Sequence, residues 1–233
     1  MIAYLNLRHG SGKLHDAFTD GLRACGYEVK ETLSLEPGPR DILVTWNLPP
    51  EVRRITQRYS RVLVAENAAW GNDFCGEKWR TLAINKHNTA GCFPVGGPER
   101  WDSLGVVLAP WRTSGETVLL AQRGIGPSSI AMPHRWITDA AKRHGARIRM
   151  HPGKDAAVPL EKDLRKAGKV VTWGSGAAVK ALMMGIPVVS EYPEWIAKQD
   201  NTDDGRLAML RTLAWAQWRL TEIETGEAIK RLL

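Results

Sequence analysis

The sequence predicts an α/β protein with two lobes, each built on a mostly parallel sheet. Two observations support this class. Short apolar runs rich in β-branched residues alternate with segments of helical periodicity, which is the pattern of β-α-β units. A stretch rich in glycine and proline, residues 88–116, divides this alternation into two series. We therefore expect two Rossmann-like lobes, with a C-terminal helix that packs back across them.

The first series is predicted to form a lobe from residue 1 to residue 110. Leu14, Phe18 and Leu22 recur at helical spacing and predict the apolar face of a helix that follows the first strand. The Pro-Pro pair at 49–50 predicts the start of a second helix, which runs to about residue 59. The predicted strands are 2–7, 28–30, 41–47, 61–67 and 80–85, with 105–109 as a further candidate.

The second series is predicted to form a lobe over residues 111–204. Its predicted strands are 117–123, 146–150, 170–173 and 188–189, and its predicted helices are 134–145, 160–167 and 177–184. Beyond it, an apolar stripe that includes Leu207, Leu210 and Trp218 predicts a long helical tail over 205–233.

The most informative stretch is VVTWGSGAAVKALMMGIPVVS, residues 170–190. It is typical of a strand, a tight turn, a helix and a second strand. The turn falls at the carboxyl end of a strand, where parallel sheets bind ligands. Gly174, Ser175 and Gly176 allow an anion to approach the backbone N–H groups at the start of the helix. The turn is therefore a candidate anion site.

A second strand of the same lobe ends in RIRMHPG, and both strand ends are expected at one rim of the sheet. His151 can donate a hydrogen bond to a phosphate oxygen, and Arg149 or Lys154 can neutralise its charge. Alone, the His-Pro pair would indicate a turn; together with the Ser175 turn it predicts a phosphate-binding rim. Glu191, after the last strand, is either a ligand for a ribose or sugar hydroxyl or a solvated carboxylate.

Arg149, His151 and Pro152, followed by a turn centred on Ser175 and a small-residue helix ending in Gly-x-Pro-Val, resemble the nucleotide-donor half of GT-B glycosyltransferases. The nearest patterns are those of capsule-type, CMP-sugar and CDP-polyol transferases. The resemblance covers about residues 117–193 and the returning C-terminal helix. The run LLAQRGIGP also resembles proteins of this kind encoded by phages.

This resemblance implies a metal-independent glycosyltransferase without a cofactor, whose donor is a UDP-, CMP- or CDP-linked sugar. The second lobe would bind the donor and the first lobe would supply the base and the acceptor site. The chain is shorter than typical members, and Trp173-Gly174 stands where they carry an acidic or Tyr-Ser turn. The sequence has no cluster with metal-ligand spacing, and Asp203-Asp204 is predicted to cap the last helix.

Three residues of the first lobe are candidates for the general base. The loop RHGSGK fails as a P-loop because its glycine and hydroxyl positions hold Leu7 and Leu14. By resemblance, His9 in this loop matches the histidine base of inverting enzymes, although a histidine that only orders the turn is an equal alternative. Glu66 and Asp73 flank the segment after the strand 61–67 and compete for the same role.

Net charge and tryptophan content bear on the acceptor. The formal charge is +7, and several of the 10 tryptophans stand beside arginine or lysine, a combination that suits stacking on sugars or bases. We expect Lys13, Trp46 and Trp70 to contact the acceptor, for which DNA with hydroxymethylated pyrimidines is favoured. The sequence shows neither a membrane-spanning run nor a signal peptide, so a cytoplasmic protein is expected.

Three other functions fit the sequence. A transferase for surface glycan precursors predicts membrane association. A nucleic-acid-binding protein with an inactive donor site predicts DNA affinity without nucleotide-sugar binding. A sugar-nucleotide epimerase shares the two-lobed fold and has no need of DNA.

Overall fold

The computed structural model describes residues 1–7, 12–48, 50–86, 92–124, 130–151, 153 and 158–233, without the side chains of residues 50 and 51. The strands in these residues are β1 (Ile2–Asn6), β2 (Glu28–Lys30), β3 (Ile42–Trp46), β4 (Arg61–Asn67), β5 (Asp73–Phe74), β6 (Glu77–Ile84), β7 (Glu116–Leu120), β8 (Arg147–Arg149), β9 (Ala167–Thr172), β10 (Val188–Ser190) and β11 (Gln217–Arg219). The helices are α1 (Gly12–Ala24), α2 (Pro50–Thr56), α3 (Glu99–Asp102), α4 (Trp136–His144), α5 (Leu160–Asp163), α6 (Ala177–Met183), α7 (Asp203–Leu213), α8 (Leu220–Glu224) and α9 (Glu227–Leu232).

The first sheet has the strand order β2-β1-β3-β4-β6-β11, and β5 pairs with β6 as a short hairpin. Strands β2, β1, β3 and β4 pair in parallel, whereas β6 pairs antiparallel with both β4 and β11. Helix α1 packs its predicted apolar face, Leu14, Phe18 and Leu22, into the core beside this sheet, and all three side chains are fully buried. The strands predicted at 28–30 and 61–67 have the predicted bounds.

The second sheet is fully parallel, with the order β10-β9-β7-β8. Its central strands β7 and β9 are apolar and fully buried at Val118, Leu119, Val170 and Val171, as expected for strands covered on both faces. The chain leaves β7 for β8 on one side and returns to β9 on the other. The boundary between β7 and β9 is therefore the topological switch point, where sheets of this kind bind ligands.

The C-terminal residues differ from the continuous helix that the apolar stripe predicted over 205–233. Helix α7 ends at Leu213, and β11 then pairs with β6 and buries Trp218 to 1% exposure. The residues of the stripe do not share one helix face. Leu210 faces the core of the second sheet, whereas Trp218 and Ile223 face the core of the first sheet. The chain thus returns to the first sheet as a strand followed by two short helices.

The returning helix α8 lies directly on α1. A Cβ on Gly21 would stand 1.8 Å from the carbonyl oxygen of Ile223, so only glycine permits this approach. The candidate strand at 105–109 does not form a ladder: Val106 and Leu108 pack against the core as irregular chain. Among the described residues, no helix has the length and apolarity needed to cross a membrane.

Candidate functional site

A cavity of about 470 Å³ lies where the carboxyl ends of both sheets face each other. The loops that follow β7, β8 and β9 line one side, and the loops that follow β3 and β4 line the other. We call the first group the second-sheet wall; its polar side chains are those of Gln122, Arg123, Arg149, His151, Ser175 and Lys180. We call the second group the first-sheet wall; it includes Trp46, Asn47, Glu66, Asn67, Ala69 and Gly71.

Two basic side chains of the second-sheet wall are held by carboxylates. Arg149 donates to Asp163 Oδ2 at 2.6 Å and to the Val158 carbonyl at 2.8 Å. Lys180 Nζ lies 2.8 Å from Glu161 Oε1. These contacts hold both cations beside the cavity, and the Arg149 pair is the more buried of the two.

His151 is oriented by two donors that cannot act as acceptors. Its Nδ1 accepts from Arg123 Nε at 3.2 Å and from the Gly153 N–H at 3.0 Å. Nδ1 is therefore unprotonated, and a neutral ring carries its proton on Nε2. Burial lowers the pKa of His151, and the Arg123 charge lowers the same pKa further. At neutral pH His151 is thus an uncharged hydrogen-bond donor through Nε2.

The turn between β9 and α6 uses most of its own N–H groups. Gly174 donates to Gln122 Oε1 at 2.8 Å, Ser175 donates to Thr172 Oγ1 at 3.0 Å, and Ala177 donates to Ser175 Oγ at 3.2 Å. In the described part of the chain only the Gly176 N–H of this turn has no acceptor. The sequence suggested a row of free N–H groups here, and local capping by Thr172 and Ser175 satisfies most of them.

Glu66 supplies the carboxylate of the first-sheet wall. It stands near the end of β4, and Trp46 stands at the end of the neighbouring strand β3. The loop after β4 is held from a distance: the Ala69 N–H donates to Oε1 of the fully buried Gln217 at 2.9 Å. The Thr81 hydroxyl lies 2.8 Å from the same oxygen. Strand β11 therefore fixes the loop that borders the cavity.

Three predicted site residues lie away from this cavity. Asp73 is exposed in the β5–β6 hairpin, where it pairs with Lys78. Trp70 is 1% exposed and packs edge-on against Trp79 at 5.2 Å, so it is a core residue and not an acceptor contact. Lys13 is exposed at the start of α1 and does not line the cavity in the part of the chain that the structure describes.

Glu191 is also outside the cavity, because it binds other parts of the second lobe. Its carboxylate accepts from Trp136 Nε1 at 2.7 Å and Arg143 Nη2 at 2.5 Å, and His144 Nε2 lies 2.9 Å away. The Arg143 hydrogen bond, assisted by those from His144 and Trp136 against the opposing effect of burial, lowers the Glu191 pKa to about 2. The carboxylate ties α4 to the end of β10 and does not hold a sugar hydroxyl.

Two further candidates, His9 and Lys154, lie outside the described residues. The cavity instead brings together Trp46, Glu66, Arg149, His151 and the Gly174–Gly176 turn. Sequence reasoning missed Gln122, Arg123 and Lys180. The first two end the predicted strand 117–123, at the same rim as His151, and that position was the available signal. Among the described residues, no cluster of histidine, cysteine and acidic side chains is arranged to hold a metal ion.

Comparison with known proteins identifies a similar fold. KpsC from Thermosulfurimonas dismutans, a β-Kdo 2,7 transferase, superposes with a TM-score of 0.53 and 11% sequence identity over 99% of this chain and 100% of that chain. Ligand-free aspartate transcarbamoylase from Trypanosoma cruzi aligns over 97% of this chain and 82% of its own at 13% identity. Its TM-score of 0.30 is too low to indicate a shared fold. No family model and no curated protein matches the sequence.

The likeness to KpsC concerns the fold, because the identity is low. Together with the two sheets, it confirms the predicted α/β class with two Rossmann-like lobes.

Proposed function

We propose that this protein transfers a glycosyl group from a nucleotide-activated sugar to a hydroxyl acceptor. The observation that carries the proposal is the contrast across one cavity: basic and hydrogen-bond-donating side chains line the second-sheet wall, and Glu66 lines the first-sheet wall. Such a pair suits a displacement in which one side receives the leaving nucleotide through its phosphate and the other side activates a nucleophile. The similar fold of a β-Kdo transferase supports the same reaction class.

The second-sheet wall would bind the donor through its phosphates. His151 Nε2–H and the Arg123 guanidinium donate hydrogen bonds, while Arg149 and Lys180 contribute positive charge. Negative charge grows on the phosphate of the leaving nucleotide as its bond to the anomeric carbon breaks. Donors that are already oriented stabilise this charge without reorganisation, and this is how the wall would accelerate bond cleavage.

The first-sheet wall would hold the acceptor. Glu66 would take the proton of the acceptor hydroxyl as that oxygen attacks the anomeric carbon, and the Trp46 ring offers a flat apolar surface for a sugar or a base. Asp73 is not among the residues that line the cavity, and we therefore prefer Glu66 as this base. His9 stays a prediction beside Glu66.

For the acceptor we propose DNA that carries hydroxymethylated pyrimidines. The formal charge of +7 favours a polyanion, and Arg54 is exposed on α2, the helix that follows the cavity residue Asn47. A base in a duplex would have to leave the stack before its hydroxymethyl group entered a cavity of this size. A glycan hydroxyl is the rival acceptor, and experiment distinguishes the two.

The test is mass spectrometry of the products after incubation with a panel of nucleotide sugars. Each donor is combined with hydroxymethylated DNA or with oligosaccharide acceptors, and Glu66→Gln serves as the control that links any activity to the cavity. We expect a glycosylated nucleoside with the DNA. Transfer to an oligosaccharide alone would replace the DNA acceptor and retain glycosyl transfer. No transfer to any acceptor, together with no binding of nucleoside mono- or diphosphates, would contradict the proposed function.

A further inference from the structure

We propose that Gln122 is a specific contact for the donor phosphates, made through its amide nitrogen Nε2. This inference rests on the proposed function. It adds to the donor site an uncharged residue that belongs to no recognised sequence motif.

The position of Gln122 is defined by the fold. It follows β7 at the topological switch point of the second sheet, is half-buried, and lines the cavity. Its side chain reaches across the switch point to the turn after β9, where the Gly174 N–H donates to Oε1 at 2.8 Å. One side chain thus connects the two strand ends between which a ligand would bind.

The orientation of the amide follows from this contact. A backbone N–H is only a donor, so the atom facing Gly174 has to be the amide oxygen. The two ends of an amide point in different directions, and Nε2 is therefore turned away from Gly174. Within the described residues Nε2 has no acceptor, which leaves two N–H groups for a ligand.

His151 shows the same arrangement on the neighbouring strand end. Its accepting atom Nδ1 is occupied by Arg123 and Gly153, so Nε2–H is the end that remains for a ligand. Gln122 and His151 thus both use their acceptors within the protein and keep their donors. A ligand group that meets donors from several directions has to be rich in acceptors, as phosphate oxygens are.

This interpretation can be separated from a purely structural role by two substitutions. Gln122→Glu keeps an oxygen for Gly174 but replaces the amide nitrogen with a negative oxygen that repels phosphate. Gln122→Lys removes the oxygen that Gly174 needs but keeps a donor, now charged. If Gln122 only positions the turn, the lysine variant should lose binding, because it cannot accept from the Gly174 N–H. The negative charge of the glutamate variant would weaken phosphate binding in either case, so the lysine variant decides between the two roles.

The experiment is calorimetric titration of UDP, CDP, CMP and inorganic pyrophosphate into wild type and both variants. We expect Gln122→Glu to weaken binding roughly 10- to 100-fold, the range for a lost hydrogen bond to a charged group. Gln122→Lys should bind within about threefold of wild type or more tightly. Gln57→Glu, on exposed chain after α2, makes the same charge change away from the cavity and should leave binding unaltered.

Wild-type affinity in Gln122→Glu, or a loss of affinity in Gln122→Lys, overturns the inference. If thermal melting shows that the glutamate variant is unfolded, the lysine variant decides by itself. If wild type binds none of the four probes, the proposed function fails and the inference fails with it, and this result differs from a failure of Gln122 alone.

Discussion

The two walls of the cavity are built by the same topology and carry different chemistry. Each wall consists of loops at the carboxyl ends of parallel strands. In the second-sheet wall, His151 and Gln122 use their acceptor atoms within the protein and retain donors. In the first-sheet wall, Glu66 brings a negative acceptor. The comparison teaches that the fold determines where a site lies, whereas the strand-end side chains determine which part of a reaction each wall can perform.

The walls also differ in how their loops are held. The turn after β9 is capped by Thr172 and Ser175, which are its own neighbours in sequence. The loop after β4 depends on Gln217, which lies 148 residues away on β11. The turn after β9 is therefore held mainly by its near neighbours, with the bond from Gly174 to Gln122 as the exception. The loop after β4 adds to its local bond between Ala68 and Asn72 a contact from the returning C-terminal chain.

The largest expected effect is on turnover, through Glu66. The substitution Glu66→Gln keeps the shape of the side chain and removes the proton acceptor. We expect kcat to fall about 100- to 10,000-fold, the usual contribution of a general base. The assay is transfer to the acceptor identified by mass spectrometry. Near-normal turnover in this variant would move the base to another residue, with His9 as the first candidate, and His9→Ala is therefore measured in parallel.

The next effect concerns the long-range support of the first-sheet wall. Gln217→Ala leaves the Ala69 N–H without its acceptor in a buried site, and an orphaned donor costs about 1–3 kcal/mol. Denaturant unfolding should show a loss of this size, together with reduced kcat in the folded enzyme. Gln57→Ala, at an exposed position, is the matched control and should change the free energy of unfolding by less than about 0.5 kcal/mol. Equal stability of the two variants would contradict the role of β11.

A smaller effect, confined to acid, is expected from Glu191. Its folded pKa of about 2 lies below the ordinary 4.5, so its contribution to stability is complete above pH 4.5 and is lost as pH falls toward 2. At about 1.4 kcal/mol per pKa unit the upper bound is about 3.5 kcal/mol, and partial exposure reduces it to roughly 1–2 kcal/mol. Glu191→Gln should be less stable at pH 7 and show a shallower acid slope. An unchanged slope of unfolding free energy between pH 4.5 and 2 would refute this.

The smallest effect is expected for Asp73, which pairs with Lys78 in solvent. Exposed ion pairs contribute little, so Asp73→Asn should change stability by less than about 1 kcal/mol and leave turnover within about twofold. Both are measured alongside Glu66→Gln. A loss of turnover in Asp73→Asn would show that the hairpin reaches the reacting groups and that the first-sheet wall is wrongly assigned.

Much of the second-sheet wall could be predicted from the sequence, because its signals are local. A strand that ends in a polar residue marks the rim of a parallel sheet, and this rule led to Arg149, His151 and Ser175. Gln122 was missed because its side chain is oriented by the Gly174 N–H, 52 residues later in the chain.

Other features depend on distant partners and could not be predicted from sequence. For Glu191 the sequence offers a sugar hydroxyl or solvent as the partner. Its actual partners lie 47 to 55 residues earlier in the chain, where no local pattern relates them to it. Tryptophan is a residue type that often contacts sugars and bases, and the sequence around Trp70 does not show that Trp79 and Trp101 pack against its ring in the core. Strand β11 was not predicted because Trp218 fits the helical spacing of the preceding apolar residues, although in the structure it pairs with β6.

The central claim is that the second-sheet wall binds the donor and the first-sheet wall supplies the base. It is tested most directly by titrating one nucleoside diphosphate into wild type, His151→Ala and Glu66→Gln. His151→Ala removes a donor from the second-sheet wall and should weaken binding roughly 10- to 100-fold. Glu66→Gln should bind as tightly as wild type or more tightly, since it removes a negative charge from the cavity. The reverse pattern, in which Glu66→Gln loses the nucleotide and His151→Ala retains it, would contradict the assignment of the donor to the second-sheet wall.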